Sequence, residues 1–125
     1  MKIITEKFLE VLKYEGAVSI TTWCNNEAHV TCTWNSYIVL DGDNLMIPAA
    51  GMTSTQTDIA VNNRVIITLA ARQVEGFNGY KGTGFRVEGT AEFIESGEKF
   101  DMMKTKYPFI RSVLYIHVTS AKQLL

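Results

Sequence analysis

The chain has 125 residues, of which 46% are hydrophobic and 20% charged, and its formal net charge is −1. This length is typical of one domain that buries its own core without a disulfide or a metal, so we expect a single domain over residues 1–125. The 12 basic and 13 acidic residues form no basic run, and the apolar stretches are far shorter than the roughly 20 residues of a membrane helix, which argues against nucleic acid and membrane as partners.

The predicted elements begin with a helix and continue as short strands. Residues 1–6 lack the apolar core and the cleavage site of a secretory signal, which predicts a cytoplasmic protein. Thr5 and Gly16 are typical helix caps, and β-branched segments alternate with turns after Gly16. Asp41-Gly42 predicts a hairpin turn, and Pro48 closes the returning strand. In chain order we predict a helix over 6–15, strands over 17–24, 28–34 and 45–47, a helix over 54–63, strands over 64–74 and 85–94, a helix over 98–107, and a strand over 111–119.

This order of elements indicates the fold class. Hairpins join most of the strands, and the chain shows neither a strand-helix-strand alternation nor a repeat. Such strands favour an antiparallel sheet that closes to remove its edges. We therefore predict a mostly β (α+β) protein, a small barrel of six strands with short peripheral helices. An open α+β sheet is the alternative.

No catalytic constellation is visible in the sequence. His29 and His117 fall on separate predicted strands, without a cysteine or carboxylate at ligand spacing, and are interpreted as ordinary strand residues. Cys24 and Cys32 are too few for a disulfide scaffold and are predicted to be free thiols. The sequence therefore assigns no catalytic residue and no metal site.

Two segments combine small and polar residues in a way that suits a ligand. Thr33-Trp34-Asn35-Ser36-Tyr37 places hydroxyls and an amide between two aromatics at a corner between strands. Residues 48–55 end a strand, pass through small residues and begin a helix at Ser54 and Thr55, where free N–H groups and the helix dipole favour a phosphate. An ordinary β corner and a simple helix cap explain the same residues. A phosphorylated aromatic ligand is thus one of two interpretations.

The same segments carry a resemblance that runs nearly end to end. Its motifs, in chain order, are Phe8-x-Glu10-Val11-Leu12-Lys13-x-Glu15-Gly16, Thr33-Trp34-Asn35-Ser36-Tyr37, Gly51-Met52, Gly82-Thr83-Gly84-Phe85, and Ser120-Ala121 with Gln123-x-Leu125. With these motifs the chain resembles the small FMN-binding proteins of the split-barrel class, related in fold to pyridoxamine 5′-phosphate oxidase. The resemblance implies a six-stranded antiparallel split β-barrel with short peripheral helices, non-covalently bound FMN and a homodimer.

The resemblance also implies where FMN lies, at the dimer interface with its ring along the ends of the second, third and fourth strands. In that arrangement the corner contacts the ring or the ribityl chain, residues 49–51 offer backbone groups to the ring, and the helix start holds the phosphate. Phe109 and Leu125 of the partner subunit cover the ring. The implied cofactor-binding residues are Thr33, Trp34, Asn35, Ser36, Tyr37, Pro48, Ala49, Ala50, Gly51, Ser54, Thr55, Phe109 and Leu125.

One departure from the family concerns the phosphate. Relatives often place a lysine where this chain has Ser54, and a missing charge-assisted hydrogen bond costs about 1.5–3 kcal/mol, or about tenfold to a hundredfold in affinity. Arg64, Arg72 or Lys81 are the candidates for the missing positive charge.

Three functions are compatible with this resemblance. The first is a small electron-transfer protein, because FMN carries the redox chemistry and no proton-transfer group is evident near the implied site; a redox protein or NAD(P)H is its partner. The second is an FMN-dependent oxidoreductase or flavin reductase acting on a small molecule, in which Tyr37, Tyr80 and Arg86 line a pocket beside the ring. The third is a split-barrel binding module for another cofactor, such as haem or a deazaflavin.

Overall fold

A computed structural model describes residues 2–125 of the chain, in which three helices flank one antiparallel sheet. The elements, in chain order, are α1 Glu6–Leu12, β1 Ala17–Cys24, β2 Glu27–Trp34, β3 Val39–Asp41, β4 Asn44–Ala49, α2 Thr53–Val61, β5 Arg64–Glu75, β6 Lys81–Ile94, α3 Glu98–Lys106 and β7 Ser112–Gln123. Every predicted helix and strand is present. None of the helices within residues 2–125 has the length and apolar character needed to cross a bilayer.

The sheet has the strand order β2-β1-β5-β6-β7-β4-β3, and all neighbours are antiparallel. β2 and β3 are its two edges, so the sheet is open between them, in agreement with the split-barrel fold class. The prediction of six strands is wrong by one. The seventh strand is β3, a three-residue segment before the Asp41-Gly42 turn that pairs with β4 from Val39 opposite Met46 to Asp41 opposite Asn44.

β4 continues through Pro48, although proline was expected to close the strand at Ile47. Pro48 lies opposite Val113 of β7, and Ala49 still pairs with Ser112. On the other side β3 reaches only as far as Met46, so no partner strand there requires the N–H that proline lacks. The strand therefore carries Ala49 to the edge of the candidate site.

The core lies on the face of the sheet that α1 covers. Burial alternates along β1 and β5, as expected for strands with one buried face. Phe8 of α1 is fully buried and meets the ring of Phe85 edge-on at 5.2 Å between centroids. A second cluster, around Met103, Tyr107 and Tyr115, joins α3 to β7.

α2 packs on β1 and β2 and is positioned by a buried carboxylate. Asp58 of α2 accepts a hydrogen bond from Thr22 Oγ1 of β1 at 2.8 Å, and His29 Nδ1 of β2 lies 2.8 Å from the same oxygen. Asn62, just after α2, donates from its amide to the carbonyl of Trp23 at 3.0 Å. These bonds place the N-terminus of α2 beside the edge strand β2.

Candidate cofactor site

The N-terminus of α2 has no side-chain cap. Its N-cap residue is Met52, in a left-handed conformation with φ 61°, and the Met52 side chain forms no capping hydrogen bond. The first backbone bond is from the Gln56 N–H to the Met52 carbonyl, at 2.9 Å. Within the described chain the N–H groups of residues 53–55 therefore have no hydrogen-bond partner, and neither Ser54 nor Thr55 caps the helix.

A cavity of about 420 Å³ lies between this helix start and the edge strand. We call it the α2 cavity; its lining residues are Ala28, His29, Val30 and Thr31 of β2 with Met52, Thr53, Ser54 and Thr55 at the start of α2. Thr55 is buried, whereas Thr53 and Ser54 are exposed. Hydroxyls, unpaired N–H groups and the positive end of a helix dipole give the α2 cavity the donors of an anion site.

The imidazole of His29, which lines the α2 cavity, belongs to a network of charged side chains that the sequence did not reveal. Asp58 is fully buried and is also 3.2 Å from Cys24 Sγ, while His29 Nε2 is 2.9 Å from Glu27 Oε1. The hydrogen bond to Asp58 raises the pKa of His29, with a further contribution from Glu27. His29 in turn holds the pKa of Asp58 below its ordinary value.

The predicted strand corner at residues 33–37 is held by the amide of Asn35. Its Nδ2 donates to the carbonyls of Tyr14 at 2.9 Å and Ala70 at 3.1 Å, and its backbone N–H donates to Gly16 O at 2.9 Å. The side chain is buried, and Oδ1 has no hydrogen-bond partner within the described chain. Asn35 therefore fixes the corner with its nitrogen and retains one free acceptor.

Ser36 at the corner binds a carboxylate. Its N–H and its hydroxyl donate to Glu15, at 3.1 and 2.7 Å, and these bonds lower the pKa of Glu15. Trp34 is half exposed and Thr33 is buried.

Three aromatic rings bring the corner close to the chain before β7. The Tyr37 ring lies 5.2 Å from that of Tyr107 and 5.9 Å from that of Phe109, between centroids. The Tyr107 hydroxyl donates to Ser36 O at 3.2 Å, and the Arg111 N–H donates to Ala49 O at 2.8 Å. The 33–37, 48–51 and 107–111 segments are thus gathered in one place, with Phe109 beside the corner of its own chain.

Leu125 lies beside residues that the strand corner contacts. Its carbonyl accepts from Thr83 Oγ1 at 2.8 Å, and it lines a cavity together with Glu15, Gly16 and Ala70, which are bonded to Ser36 or Asn35 of the corner. The structure therefore places the thirteen predicted cofactor residues around the strand corner, the end of β4 and the start of α2. Whether these residues bind a cofactor stays a prediction.

The sequence and the fold both match known proteins. A family model described as pyridoxamine 5′-phosphate oxidase matches residues 4–124. The chain belongs to this family. The resemblance to its split-barrel class is confirmed, and the family model covers every residue of the strand corner, of the α2 cavity and of the 107–111 segment.

Individual proteins are similar over nearly the whole chain. The FMN-binding protein of Nitratidesulfovibrio vulgaris (strain Miyazaki F) is 43% identical over 119 residues, which cover 94% of this chain and 96% of that protein. The crystal structure of HupZ from Group A Streptococcus has a TM-score of 0.78 at 18% identity, covering 97% of this chain and 94% of that one. An FMN-binding protein from Syntrophomonas wolfei has a TM-score of 0.75 at 16% identity, covering 98% and 86%. The two structures show a shared fold.

Proposed function

We propose that the protein binds FMN without a covalent bond and transfers electrons as a homodimer. The phosphate lies in the α2 cavity and the ring lies against the strand corner. The observation that carries this proposal is the uncapped N-terminus of α2, whose unpaired N–H groups face a cavity lined by hydroxyls. The relative from Nitratidesulfovibrio vulgaris, which is named FMN-binding protein, supports the choice of flavin.

The donor set of this chain fits FMN at both ends. The α2 cavity offers N–H and hydroxyl donors to a phosphate, and the corner offers aromatic rings. β2 connects the two, and the four residue-to-residue steps from His29 to Thr33 span about 13 Å at the usual rise of a strand. A ligand with a phosphate at one end and a ring system at the other suits this spacing.

The residues of the chain bind and orient the cofactor, and FMN when bound supplies the electron-accepting ring. The first turn of α2 holds the phosphate, while Asn35 keeps the corner rigid through its two carbonyl bonds. Tyr37 and Phe109 provide an apolar wall. The carboxylate bonded to the corner, Glu15, has a lowered pKa and stays ionised at neutral pH, so it offers no proton. This arrangement favours an electron carrier over an enzyme with its own substrate.

The enzyme alternative has less support. It requires Tyr37, Tyr80 and Arg86 to line a pocket beside the ring. Tyr37 packs against Tyr107, whereas Tyr80 lines the cavity of Leu125 and Arg86 pairs with Glu88 at 3.6 Å.

The homodimer is supported by an apolar surface on the edge strand β2. We call it the β2 stripe; its members are Ala28, Val30, Cys32 and Trp34, which alternate along the strand and are all exposed. Phe109 and Leu125 are also half exposed. An unpaired edge strand with an apolar outer face is normally covered, and a second copy of the chain is the occupant we propose.

We expect protein purified from its own host to be yellow and to bleach with dithionite. FMN should appear in the supernatant after denaturation, where mass spectrometry distinguishes it from FAD. NAD(P)H oxidation no faster than that of free flavin would agree with an electron carrier. Colourless protein that takes up no added FMN would contradict the proposal.

A further inference from the structure

The α2 cavity has one titratable side chain among its eight lining residues, the imidazole of His29. The three cations considered from the sequence lie elsewhere. Arg64 is 3.7 Å from Glu88 and lies over the Trp23 ring, Arg72 lies against Gly82, and Lys81 is opposite Glu75 in the register of β5 and β6. A phosphate in this cavity would therefore face His29 as its nearest cationic group.

The contacts of His29 favour the imidazolium form of its ring, in the same direction as its raised pKa. Nδ1 lies 2.8 Å from Asp58 Oδ2 and Nε2 lies 2.9 Å from Glu27 Oε1. A carboxylate only accepts hydrogen bonds, so both ring nitrogens must carry a proton. A neutral imidazole has a single N–H and satisfies one of the two contacts.

The charged groups that face His29 come from three elements. Asp58 of α2 is fully buried and fixed by Thr22, Cys24 and His29. Glu27 is on the same strand as His29, and its side chain is 73% exposed. Cys24 of β1 bonds to Asp58, which raises the pKa of the thiol and keeps it neutral. The buried Asp58 therefore fixes the ring through Nδ1, and the exposed Glu27 is the partner that a ligand can displace from Nε2.

We propose that His29 supplies the positive charge for the FMN phosphate, which takes the place of Glu27 at Nε2. This inference rests on the proposed function and adds the residue that replaces the family's lysine at the helix start. Asp58 is a positioning residue, because it keeps Nδ1 engaged and leaves Nε2 to the ligand. Glu27 occupies Nε2 when no phosphate is bound.

This arrangement gives FMN binding a pH dependence that riboflavin binding lacks. Loss of the proton from His29 as the pH rises removes the charge that faces the phosphate, so FMN affinity falls. The second ionisation of a phosphate monoester, near pH 6, raises FMN affinity as the pH rises and is nearly complete at neutral pH. Riboflavin has the same ring without the phosphate, so it reports on the ring site alone.

The test compares FMN and riboflavin affinities by quenching of flavin fluorescence, on protein stripped of flavin, between pH 5.5 and 8.5. The variant is His29→Gln, which removes the ring and its charge and keeps a neutral polar side chain. The matched control is His117→Gln, at the other histidine of the chain. His117 Nε2 lies 2.7 Å from Glu92, and its strand β7 is separated from β2 by three strands of the sheet. Thermal melting monitored by circular dichroism shows whether each variant is folded.

We expect His29→Gln to weaken FMN binding about tenfold at pH 6.5 and to leave riboflavin binding unchanged, as removal of a charge-assisted hydrogen bond predicts. The fall of FMN affinity above pH 7 should disappear in this variant and persist in His117→Gln. If His29→Gln weakens FMN binding no more than it weakens riboflavin binding, the role of His29 is overturned, whereas the proposal that the protein binds FMN stands. A wild-type protein that binds neither flavin would instead overturn the proposed function.

Discussion

Asn35 fixes the strand corner through bonds to parts of the chain that are remote in sequence. Its amide links the corner to the end of α1 through Tyr14 and to β5 through Ala70. Gly16 allows this approach, because a Cβ at that position would be 2.7 Å from Ala70 O and 3.0 Å from Asn35 Nδ2. The corner that we propose for the FMN ring is therefore rigid before any ligand arrives.

We expect Asn35→Ala to destabilise the fold by about 1–3 kcal/mol, because the carbonyls of Tyr14 and Ala70 lose their donor in a buried place. Urea unfolding followed by tryptophan fluorescence measures the change. Asn63→Ala is the matched control; its side chain is exposed, and surface substitutions usually change stability by less than about 0.5 kcal/mol. Equal stability of the two variants would show that Asn35 does not hold the corner.

Individual site residues were partly predictable. The strand corner and the helix start were chosen from residue type and order alone, because hydroxyls, an amide and small residues mark places where a chain turns or binds. The contacts of these residues were not predictable. Asp58 lies 29 positions from its partner His29, and no periodicity of helix or strand relates them. His29 was consequently interpreted as an ordinary strand residue.

At the scale of elements, the pattern of β-branched residues predicted the long strands, and glycines concealed the start of β6. Residues 75–84, with four glycines, predict a loop or a wide hairpin, and the structure has a hairpin in which Glu75 of β5 lies opposite Lys81 and β6 runs through Gly82 and Gly84. Gly84 is required inside the strand, because a Cβ there would lie 2.9 Å from Leu69 O and 3.1 Å from Ala70 Cβ. This close approach of β5 and β6 involves residues that are distant in sequence, so local patterns could not indicate it.

We expect Gly84→Ala to destabilise the protein by about 1–3 kcal/mol, since an overpacked site forces the two strands apart. Thermal and urea unfolding measure the loss. Gly51→Ala is the control, because a Cβ at Gly51 has no neighbour within 4 Å. A Gly84→Ala protein as stable as Gly51→Ala would mean that β5 and β6 tolerate a wider spacing at this point.

At the scale of the whole molecule, both of our proposals involve an edge of the open sheet. The sequence predicted an antiparallel barrel with peripheral helices, and the structure has the same class of fold with its two edges at β2 and β3. The segment before the predicted Asp41-Gly42 hairpin turn was not counted as a strand, because the three residues of β3 carry no alternation that could be recognised. The edge strand β2 has two functions in our proposals: residues 28–31 and the start of α2 form the α2 cavity, and the β2 stripe, which shares Ala28 and Val30 with that cavity, faces the second subunit. FMN binding and dimer formation therefore meet on one strand.

This arrangement predicts that a charge in the β2 stripe separates the subunits. Val30 is 68% exposed in the chain, and we expect Val30→Lys to be a monomer because the dimer interface cannot bury an unpaired ammonium group. Lysine is chosen because Val30 also lines the α2 cavity, where a negative charge would repel the phosphate. Val61→Lys is the matched control: Val61 is 69% exposed, at the end of α2 and outside the β2 stripe. Light scattering after size-exclusion chromatography should give a dimer for the wild type and for Val61→Lys, and a monomer for Val30→Lys. A dimeric Val30→Lys would place the interface on another face of the protein.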